Sequence, residues 1–363
     1  MFEKVNAGHP DKMADRLAGA VVDLVYERAG GLTKANPRVA CEVMAGHGRV
    51  DVQIETSLGR LDLRADDLDP LIHRLFGERV EGNVLIAPQD PHLSDNQTRG
   101  LRCGDNGIFK GCPPTEEQRV LTAIAATMWE RFKSDGKYLI SDDTLTICQS
   151  KAWPLHLSEC LSDFIYANGG YVDTMNVPAD TDEQGRYSRL YTDRATVETF
   201  MLGDKMRTAI INPLGPWTGG IDVDCGCTNR KLGSDMGDGV TGGGLMGKDL
   251  SKADVSVNIV CFLKAVASGQ VVTACCSIGD ECVTFVYHAP SAALGDAQAS
   301  LAPHSLARGF TYPDGYTETE RFADIVEQAR LYILTDCGGS FETFACWGLI
   351  RPNEAKEFAE GCE

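Results

Sequence analysis

Segment 242–254 places three consecutive glycines ahead of two lysines and two aspartates. Three glycines let the backbone approach a ligand more closely than residues with a β-carbon allow. Lys248 and Lys252 are four residues apart, so a helix at this point would put both ammonium groups on one face. Charged side chains at this spacing are not expected in an apolar core. The segment therefore predicts a site that binds polyphosphate and its metal.

A P-loop is the first alternative, because residues 242–248 fit G-x-x-x-x-G-K. Asp249 then stands where a P-loop has a magnesium-binding Ser or Thr, which would put a carboxylate beside phosphate oxygens. Residues 234–240 are polar and broken by glycine, whereas a buried apolar strand leads into a P-loop. Both departures argue against a P-loop.

The N-terminal segment Gly8-His9-Pro10-Asp11-Lys12 comes directly before a helical pattern that ends at Gly30-Gly31. Proline suits the first position of a helix, and the N–H groups at a helix start favour anions. Taken alone, a histidine and an aspartate here are more typical of a helix start than of an active site. Together with segment 242–254, they indicate a second part of an anion site.

Five motifs occur in the order found in S-adenosylmethionine synthetases, which are also called methionine adenosyltransferases. They are segment 8–12, Gly104-Asp105-Asn106-Gly107, Asp224-Cys225-Gly226, Arg230-Lys231 and segment 242–254. The chain resembles a divergent member of that family from Phe2 to Gly348, and its first and last motifs are the most specific. The resemblance implies three similar domains, at residues 1–89, 103–215 and 216–363.

Periodicity predicts strands at 38–56, 143–149 and 271–288, and helices at 66–76, 115–132, 155–167 and 318–334. Polar stretches rich in glycine and proline predict loops at 30–37, 178–186 and 290–313. This alternation predicts an α+β fold of three layers, in which mixed or antiparallel sheets are covered by helices on one side.

Members of the family join methionine to ATP. The sulfur attacks the ribose C5′, tripolyphosphate leaves, and the tripolyphosphate is then cleaved to pyrophosphate and phosphate. A thioether needs no base, so the charge growing on the leaving group is what catalysis must stabilise. By resemblance the catalytic residues are His9, Lys12, Arg230, Lys231, Lys248 and Lys252.

The resemblance also implies ligand sites. The expected ATP-binding residues are His9, Asp105, Asp142, Trp217, Asp224, Arg230, Lys231, Lys248 and Ile278, and the expected methionine-binding residues are Gln53, Glu55, Gln89, Asp224 and Lys252. Magnesium would be bound by Asp11 and Asp254, since oxygen ligands suit it, and potassium by Glu42. Some of these have ordinary structural alternatives: Asp105 lies in a typical turn sequence, Ile278 precedes a hairpin-like Gly279-Asp280, and Arg230-Lys231 is equally typical of a solvated surface.

Two departures from the family bear on activity. The family has a lysine two residues after an aspartate, whereas Asp142 is followed by Thr144 at that place, and Lys110 or Lys137 would have to supply the missing cation. Gln53 aligns with the methionine-binding glutamate, and Glu55 is the next residue on the same strand face. These departures leave open a noncatalytic or regulatory relative, a tripolyphosphatase, and an enzyme for a methionine analogue.

Gln89 resembles the glutamine that opens the family's active-site loop, which makes segment 91–102 a predicted mobile lid. The resemblance further implies a homodimer with flat sheet faces packed together and active sites at the interface, often doubled into a tetramer.

Composition agrees with these expectations. A chain of 363 residues with 43% hydrophobic content predicts two or three domains, and a net charge of −18 argues against nucleic acid as a partner. The sequence has no apolar run of membrane-spanning length and no signal peptide, so we expect a cytoplasmic protein without membrane contact. Fourteen cysteines without C-x-x-C pairs are expected to be small buried residues or inert thiols.

Overall fold

A computed structural model describes residues 1–59, 62–92, 100–152, 155–173, 195–240, 243–289 and 312–352. The chain divides into two compact units. Unit 1 comprises Met1–Pro10, Glu116–Cys225 and Ile350–Glu363, and unit 2 comprises Asp11–Thr115 and Gly226–Leu349. Each unit thus combines segments that are distant in sequence. The division into segments 1–89, 103–215 and 216–363 stays a prediction.

The strands are β1 (Phe2–Val5), β2 (Val39–Gly46), β3 (Arg49–Thr56), β4 (Glu81–Pro88), β5 (Gly107–Gly111), β6 (Gly136–Ser141), β7 (Thr144–Gln149), β8 (Tyr171–Asp173), β9 (Thr196–Leu202), β10 (Lys205–Ile211), β11 (Cys225–Cys227), β12 (Val271–Cys276), β13 (Cys282–His288) and β14 (Tyr316–Arg321). The helices are α1 (Pro10–Arg28), α2 (Asp69–Phe76), α3 (Glu116–Phe132), α4 (Leu157–Cys160), α5 (Ser162–Ala167), α6 (Leu232–Met236), α7 (Ala253–Ser268), α8 (Phe322–Asp336) and α9 (Phe341–Trp347).

Unit 1 is built on a six-stranded mixed sheet with the order β1-β6-β7-β10-β9-β8. Strand β10 runs parallel to β7, while the other neighbouring strands are antiparallel. Helix α3 packs against β1 and β6, and α5 packs against β8. One face of the sheet is therefore covered by helices.

Unit 2 contains two four-stranded sheets, with the orders β11-β2-β3-β4 and β14-β13-β12-β5. Strands β3 and β4 are parallel, and α2 lies in the connection between them. The second sheet is antiparallel; α7 packs against β5 and β12, and α8 packs against α7 and β14. Mixed and antiparallel sheets packed against helices confirm the predicted α+β class.

The predicted alternation of strand β3 is confirmed. Val50, Val52 and Ile54 are buried, while Gln53 and Glu55 are exposed on the opposite face. The predicted helix at 318–334 is wrong in its first part, because residues 318–321 belong to β14. Two strand-borne carboxylates there, Glu318 and Glu320, lie 2.9 and 2.6 Å from Lys264 Nζ.

The predicted helix that would carry Lys248 and Lys252 on one face is wrong, since α7 begins only at Ala253. The backbone of Lys248 instead forms a bridge with Ala40 in β2. Asp249 stabilises this backbone conformation. Its carboxylate accepts hydrogen bonds from the N–H groups of Val39 and Ser251, both at 2.8 Å. This structural role agrees with the argument against a P-loop.

Several predicted features lie outside the described residues. They are the loop at 178–186, most of the loop at 290–313, Gly242, and residues 93–99 of the predicted lid.

Cys41, Cys160 and Cys261 are free and buried cysteines of the described part of the chain. Burial raises the pKa of the Cys41, Cys160 and Cys261 thiols, so they stay protonated and pack as small hydrophobic residues, as predicted. Others, such as Cys275, are exposed.

None of the helices in the described ranges combines the length and the apolar composition that crossing a bilayer requires.

A buried ion cluster joins the first turn of α1 to α6. The side chain of Lys12 is fully buried, and its Nζ lies 2.7 Å from Asp235 Oδ2 and 3.3 Å from Asp15 Oδ2. Burial alone would lower the pKa of Lys12, but the two carboxylates outweigh burial and raise it. Lys12 therefore stays charged and links segments that are 223 residues apart.

We expect Lys12→Met to destabilise the protein by about 3–5 kcal/mol, because it leaves Asp15 and Asp235 buried without a counter-charge. Urea denaturation followed by circular dichroism measures the free energy of unfolding. The control is Lys34→Met at an exposed lysine, which should change that free energy by less than about 0.5 kcal/mol. Equal stability of Lys12→Met and wild type would show that the ion cluster does not hold the fold.

Candidate active site

Asn6 fastens the loop before α1 to the start of β6 within unit 1. Its side-chain oxygen accepts hydrogen bonds from the N–H groups of Gly8 at 3.0 Å and Gly136 at 3.2 Å, and its Nδ2 donates to Ser134 O at 2.9 Å. A β-carbon on Gly8 would lie only 3.0 Å from the carbonyl carbon of Ser134, so the close approach requires glycine. These contacts set His9 beside segment 134–137.

Lys137, Trp217 and Asp224 come together in unit 1. Lys137 Nζ lies 3.6 Å from Asp224 Oδ2 and 5.7 Å from the centre of the Trp217 ring. Burial alone would raise the pKa of Asp224, but the N–H of Cys225 and the positive charges of Lys137 and His9 outweigh it and lower the pKa. A half-buried aromatic ring beside an ammonium and a carboxylate suits a ligand with a planar base and polar groups.

In the segment Asp135-Gly136-Lys137, a lysine lies two residues after an aspartate. This is the family's spacing, which is absent at Asp142 and Thr144. Asp135 is buried, and its Oδ2 accepts a hydrogen bond from the N–H of Gly220 at 2.8 Å. Strand β6 ends at Ser141, about 13 Å from Lys137 at roughly 3.3 Å per residue, and Asp142 follows in the turn to β7. The structure therefore does not bring Asp142 to Lys137.

Of the two candidates for the missing cation, Lys137 lies beside Trp217 and Asp224, whereas Lys110 lies on β5 in unit 2. The spacing at 135–137 is the sequence signal that could have identified Lys137 directly. We call His9, Asp135, Lys137, Trp217 and Asp224 the Lys137 cluster.

Asp11 lies in the first turn of α1, beside Arg230 and Lys231 in unit 2. Its Oδ1 accepts a hydrogen bond from the N–H of Cys227 at 2.9 Å and is 3.5 Å from Arg230 Nη1, and its Oδ2 is 3.7 Å from Lys231 Nζ. Asp11 is 2% exposed, whereas the side chains of Arg230 and Lys231 are 54% and 22% exposed. We call these three residues the Asp11 cluster, and its mixed charges suit a phosphate that brings its own metal.

Asn229 connects the Asp11 cluster to the glycine-lysine loop. Its N–H donates to Asp15 Oδ1 at 2.7 Å, and its side-chain oxygen accepts from the N–H of Met246 at 2.7 Å. A β-carbon on Gly244 would lie 2.6 Å from Asn229 Nδ2, so the loop packs directly on this amide. The sequence analysis missed both Asn229 and Asp15, since their importance comes from contacts between distant segments.

Lys248 and Asp254 form an ion pair of 2.7 Å at the start of α7. Gly243 packs against the same carboxylate, because its β-carbon would lie 1.9 Å from Asp254 Oδ1. The glycines thus bring the backbone close to the protein's own polar side chains. Lys252 occupies the N-cap position of α7, two residues before Asp254.

The predicted methionine and potassium residues lie largely on the exposed face of the β2-β3-β4 sheet. Glu42 and Gln53 are directly opposite each other on β2 and β3, and Glu55 is on the same face. Thr228 Oγ1 donates a hydrogen bond to the Glu42 carboxylate. Gln89 is instead buried after β4, and its Oε1 has no hydrogen-bond partner among the described residues.

The two turns that carry Asp105 and Ile278 are joined by hydrogen bonds in unit 2. The N–H of Ile278 donates to Asn106 Oδ1 at 2.9 Å, and Cys276 Sγ donates to Asp105 O at 3.6 Å. Asp105 and Asp254 both interact electrostatically with the Cys276 thiol, so this turn is near the start of α7.

Metal binding depends on separate carboxylates. Within the described ranges, no group of three or more His, Cys, Asp or Glu residues gathers as a ready-made cage. Magnesium usually keeps several waters and shares substrate phosphates, so it needs few protein ligands. Asp11 and Asp254 are hard oxygen donors beside cations, and this chemistry fits magnesium with a polyphosphate.

Comparison with known proteins finds relatives along more than two thirds of the chain. The S-adenosylmethionine synthase of Jannaschia sp. (strain CCS1) is 26% identical over 292 residues, which cover 70% of this chain and 69% of that protein. The S-adenosylmethionine synthase of Rhodopseudomonas palustris (strain BisB5) is 27% identical over 292 residues, covering 70% of each chain. That of Mycoplasma mycoides subsp. mycoides SC is 26% identical over 284 residues, covering 71% and 70%. No family model matches the chain.

The motifs, the α+β fold and these relatives agree, and the chain's similarity to S-adenosylmethionine synthases is consistent with a divergent member of that family.

Proposed function

We propose that the protein synthesises S-adenosylmethionine from ATP and L-methionine, displacing tripolyphosphate and cleaving it to pyrophosphate and phosphate. The observation that carries this proposal is the position of Lys137 beside Trp217 and Asp224. In sequence, the absent lysine left an inactive relative open as an alternative. With Lys137 in the cluster, that argument against activity is removed.

The Lys137 cluster would bind the adenosine end of ATP. The half-buried Trp217 ring offers a face for adenine, and the ionised Asp224 offers an acceptor for a ribose hydroxyl or the methionine ammonium. Lys137 supplies a positive charge next to these groups, and His9, which the resemblance assigns to the triphosphate, lies close enough to act on Asp224. This arrangement would position C5′ for attack by the methionine sulfur.

The cations of unit 2 would hold the leaving tripolyphosphate. Arg230 suits forked contacts with phosphate oxygens, while Lys231, Lys248 and Lys252 act as point charges. Asp11 and Asp254 would hold magnesium, which when bound supplies Lewis-acid stabilisation of the leaving group. The resemblance alone supports a potassium ion at Glu42, which lies exposed beside Thr228.

Lys12 takes a different part in this proposal from the one that the resemblance implies. Its ammonium group is fully buried between Asp15 and Asp235, so it would position the start of α1 and not contact the substrate.

Methionine recognition is the point where this chain departs most from its family. A glutamine at position 53 cannot offer a full negative charge to the substrate ammonium. Glu55, on the same exposed face of β3, would supply that charge instead. Binding of the substrate ammonium group would therefore depend on Glu55.

An assay of the purified protein with ATP, L-methionine, Mg²⁺ and K⁺ tests the proposal. S-adenosylmethionine and phosphate are measured separately by chromatography, and we expect both. Phosphate without the sulfonium product would indicate a tripolyphosphatase, and ATP binding without either product would indicate a noncatalytic relative. Either result would contradict the proposed synthesis.

A pair of lysine substitutions tests the role of Lys137 in the same assay. Lys137→Met should lower turnover by at least about tenfold, which corresponds to roughly 1.4 kcal/mol in the barrier. The control Lys133→Met removes the same charge from an exposed side chain that pairs with Glu130. Circular dichroism checks that both variants fold. Equal turnover of the two variants would remove Lys137 from the mechanism.

We further propose that the protein is a homodimer that uses the exposed face of the β2-β3-β4 sheet. Met44 and Leu85 on this face are 56% and 59% exposed, although both are large apolar side chains. A second copy of the chain would cover them, as the family resemblance implies, and two dimers would form any tetramer.

We expect Leu85→Asp to convert the dimer to a monomer, because it would bury a charge in an apolar interface. Light scattering coupled to gel filtration measures the mass. Leu331→Asp is the control, since Leu331 is 60% exposed on helix α8 and away from the sheet face. A Leu85→Asp protein that stays dimeric would place the interface elsewhere.

A further inference from the structure

A cavity of about 760 Å³ lies in unit 1, apart from the residues of the Lys137 cluster. It is bounded by the first turns of α3, the end of α5 and the turn that joins β9 to β10. Its volume is within the range of small-molecule sites, roughly 300–1,000 Å³. Neither the motifs nor the proposed function accounts for it.

Arg207 provides the specific feature of this cavity. It is only 8% exposed, and it shares the buried face of β10 with Ala209 and Ile211, which are fully buried. Its Nη1 donates to the carbonyl oxygen of Asp142 at 3.3 Å, while its Nε has no hydrogen-bond partner among the described residues. A buried guanidinium is costly without an anion, and its Nε edge matches the two oxygens of a carboxylate.

The remaining charges of the cavity distinguish between kinds of anion. The lining contains three cations and three carboxylates, namely Arg119, Lys205, Arg207, Glu116, Glu117 and Asp204. A phosphate with two negative charges would meet as many carboxylates as cations and gain little. A zwitterion finds a partner for each of its charges.

The cavity also has an apolar part. Phe164 and Leu202 line it, and Tyr166, whose side chain is 62% exposed, lies at the same end of α5. Aromatic rings favour edge or offset contacts with another ring. A ligand with an aromatic or large apolar side chain would use this surface.

We infer that the cavity binds a free α-amino acid with an aromatic or large apolar side chain. The carboxylate lies on Arg207, the ammonium group faces the acidic side chains, and the apolar part packs against Phe164. This site is independent of S-adenosylmethionine synthesis, since it requires neither ATP nor metal.

Isothermal titration with L-phenylalanine tests the inference on the full-length protein without ATP, methionine or metal ions. Two matched probes each lack one charge: 3-phenylpropanoate has no ammonium group and 2-phenylethylamine has no carboxylate. L-phenylalanine should bind at least about tenfold more tightly than either probe, since each missing charge removes a charge-assisted contact. Equal binding of one probe, stronger binding of inorganic phosphate, or no binding of L-phenylalanine would overturn the inference.

Substitutions locate the binding. Arg207→Met should weaken L-phenylalanine binding at least about tenfold, and the control Arg131→Met removes an exposed arginine from α3 outside the cavity. Because Arg207 is buried, Tyr166→Ala provides a second variant at an exposed position that should fold normally and bind more weakly. Unchanged affinity in Tyr166→Ala together with a folded, fully binding Arg207→Met would exclude this cavity. The synthesis assay on the same variants separates this result from the proposed function.

Discussion

The buried carboxylate of Asp15 is the group on which the functional loops of unit 2 depend. One oxygen is bound by Lys12, which ties helix α1 to Asp235, and the other accepts the N–H of Asn229. Asn229 in turn holds Met246 and the packed Gly244, and Arg230 and Lys231 follow it directly in sequence. Burial raises the pKa of Asp15, while Lys12 opposes this and favours the charged form. The surface cations are therefore oriented by an ion pair that is itself closed to solvent.

Three of the cations proposed to bind the nucleotide or its phosphates lie next to a carboxylate. Lys137 lies beside Asp224, Lys231 beside Asp11, and Lys248 beside Asp254. In a chain with a net charge of −18, such pairs keep the cations in place without a ligand. In the proposed function, phosphate oxygens would take the place of the carboxylates beside the lysines, and the freed carboxylates would be available to hold magnesium. The pairing thus fits a metal-bound polyphosphate better than a bare anion.

The sequence predicted those features that depend on local pattern. The alternation in β3 identified its buried face, and the motifs identified residues that the structure brings together, such as Asp11 with Arg230. Long-range contacts were not predictable from local pattern, so Asn6, Asp15 and Asn229 were missed. The helix expected across Lys248 and Lys252 failed for a local reason: the Asp249 side chain competes for backbone N–H groups and favours a turn.

The position of Lys137 changes the interpretation of the lysine that is missing at Thr144. An aspartate-x-lysine motif read at Asp142 lacks its cation, whereas the motif at Asp135 is complete and lies beside Trp217. In the proposed function, Lys137 supplies the cation that is missing at Thr144, and the clearest remaining departure is Gln53. Gln53 stands opposite Glu42 and on the same face as Glu55, so Glu55 remains available to a substrate ammonium. If the proposed function holds, divergence in this chain concerns how the amino acid is held more than how the triphosphate leaves.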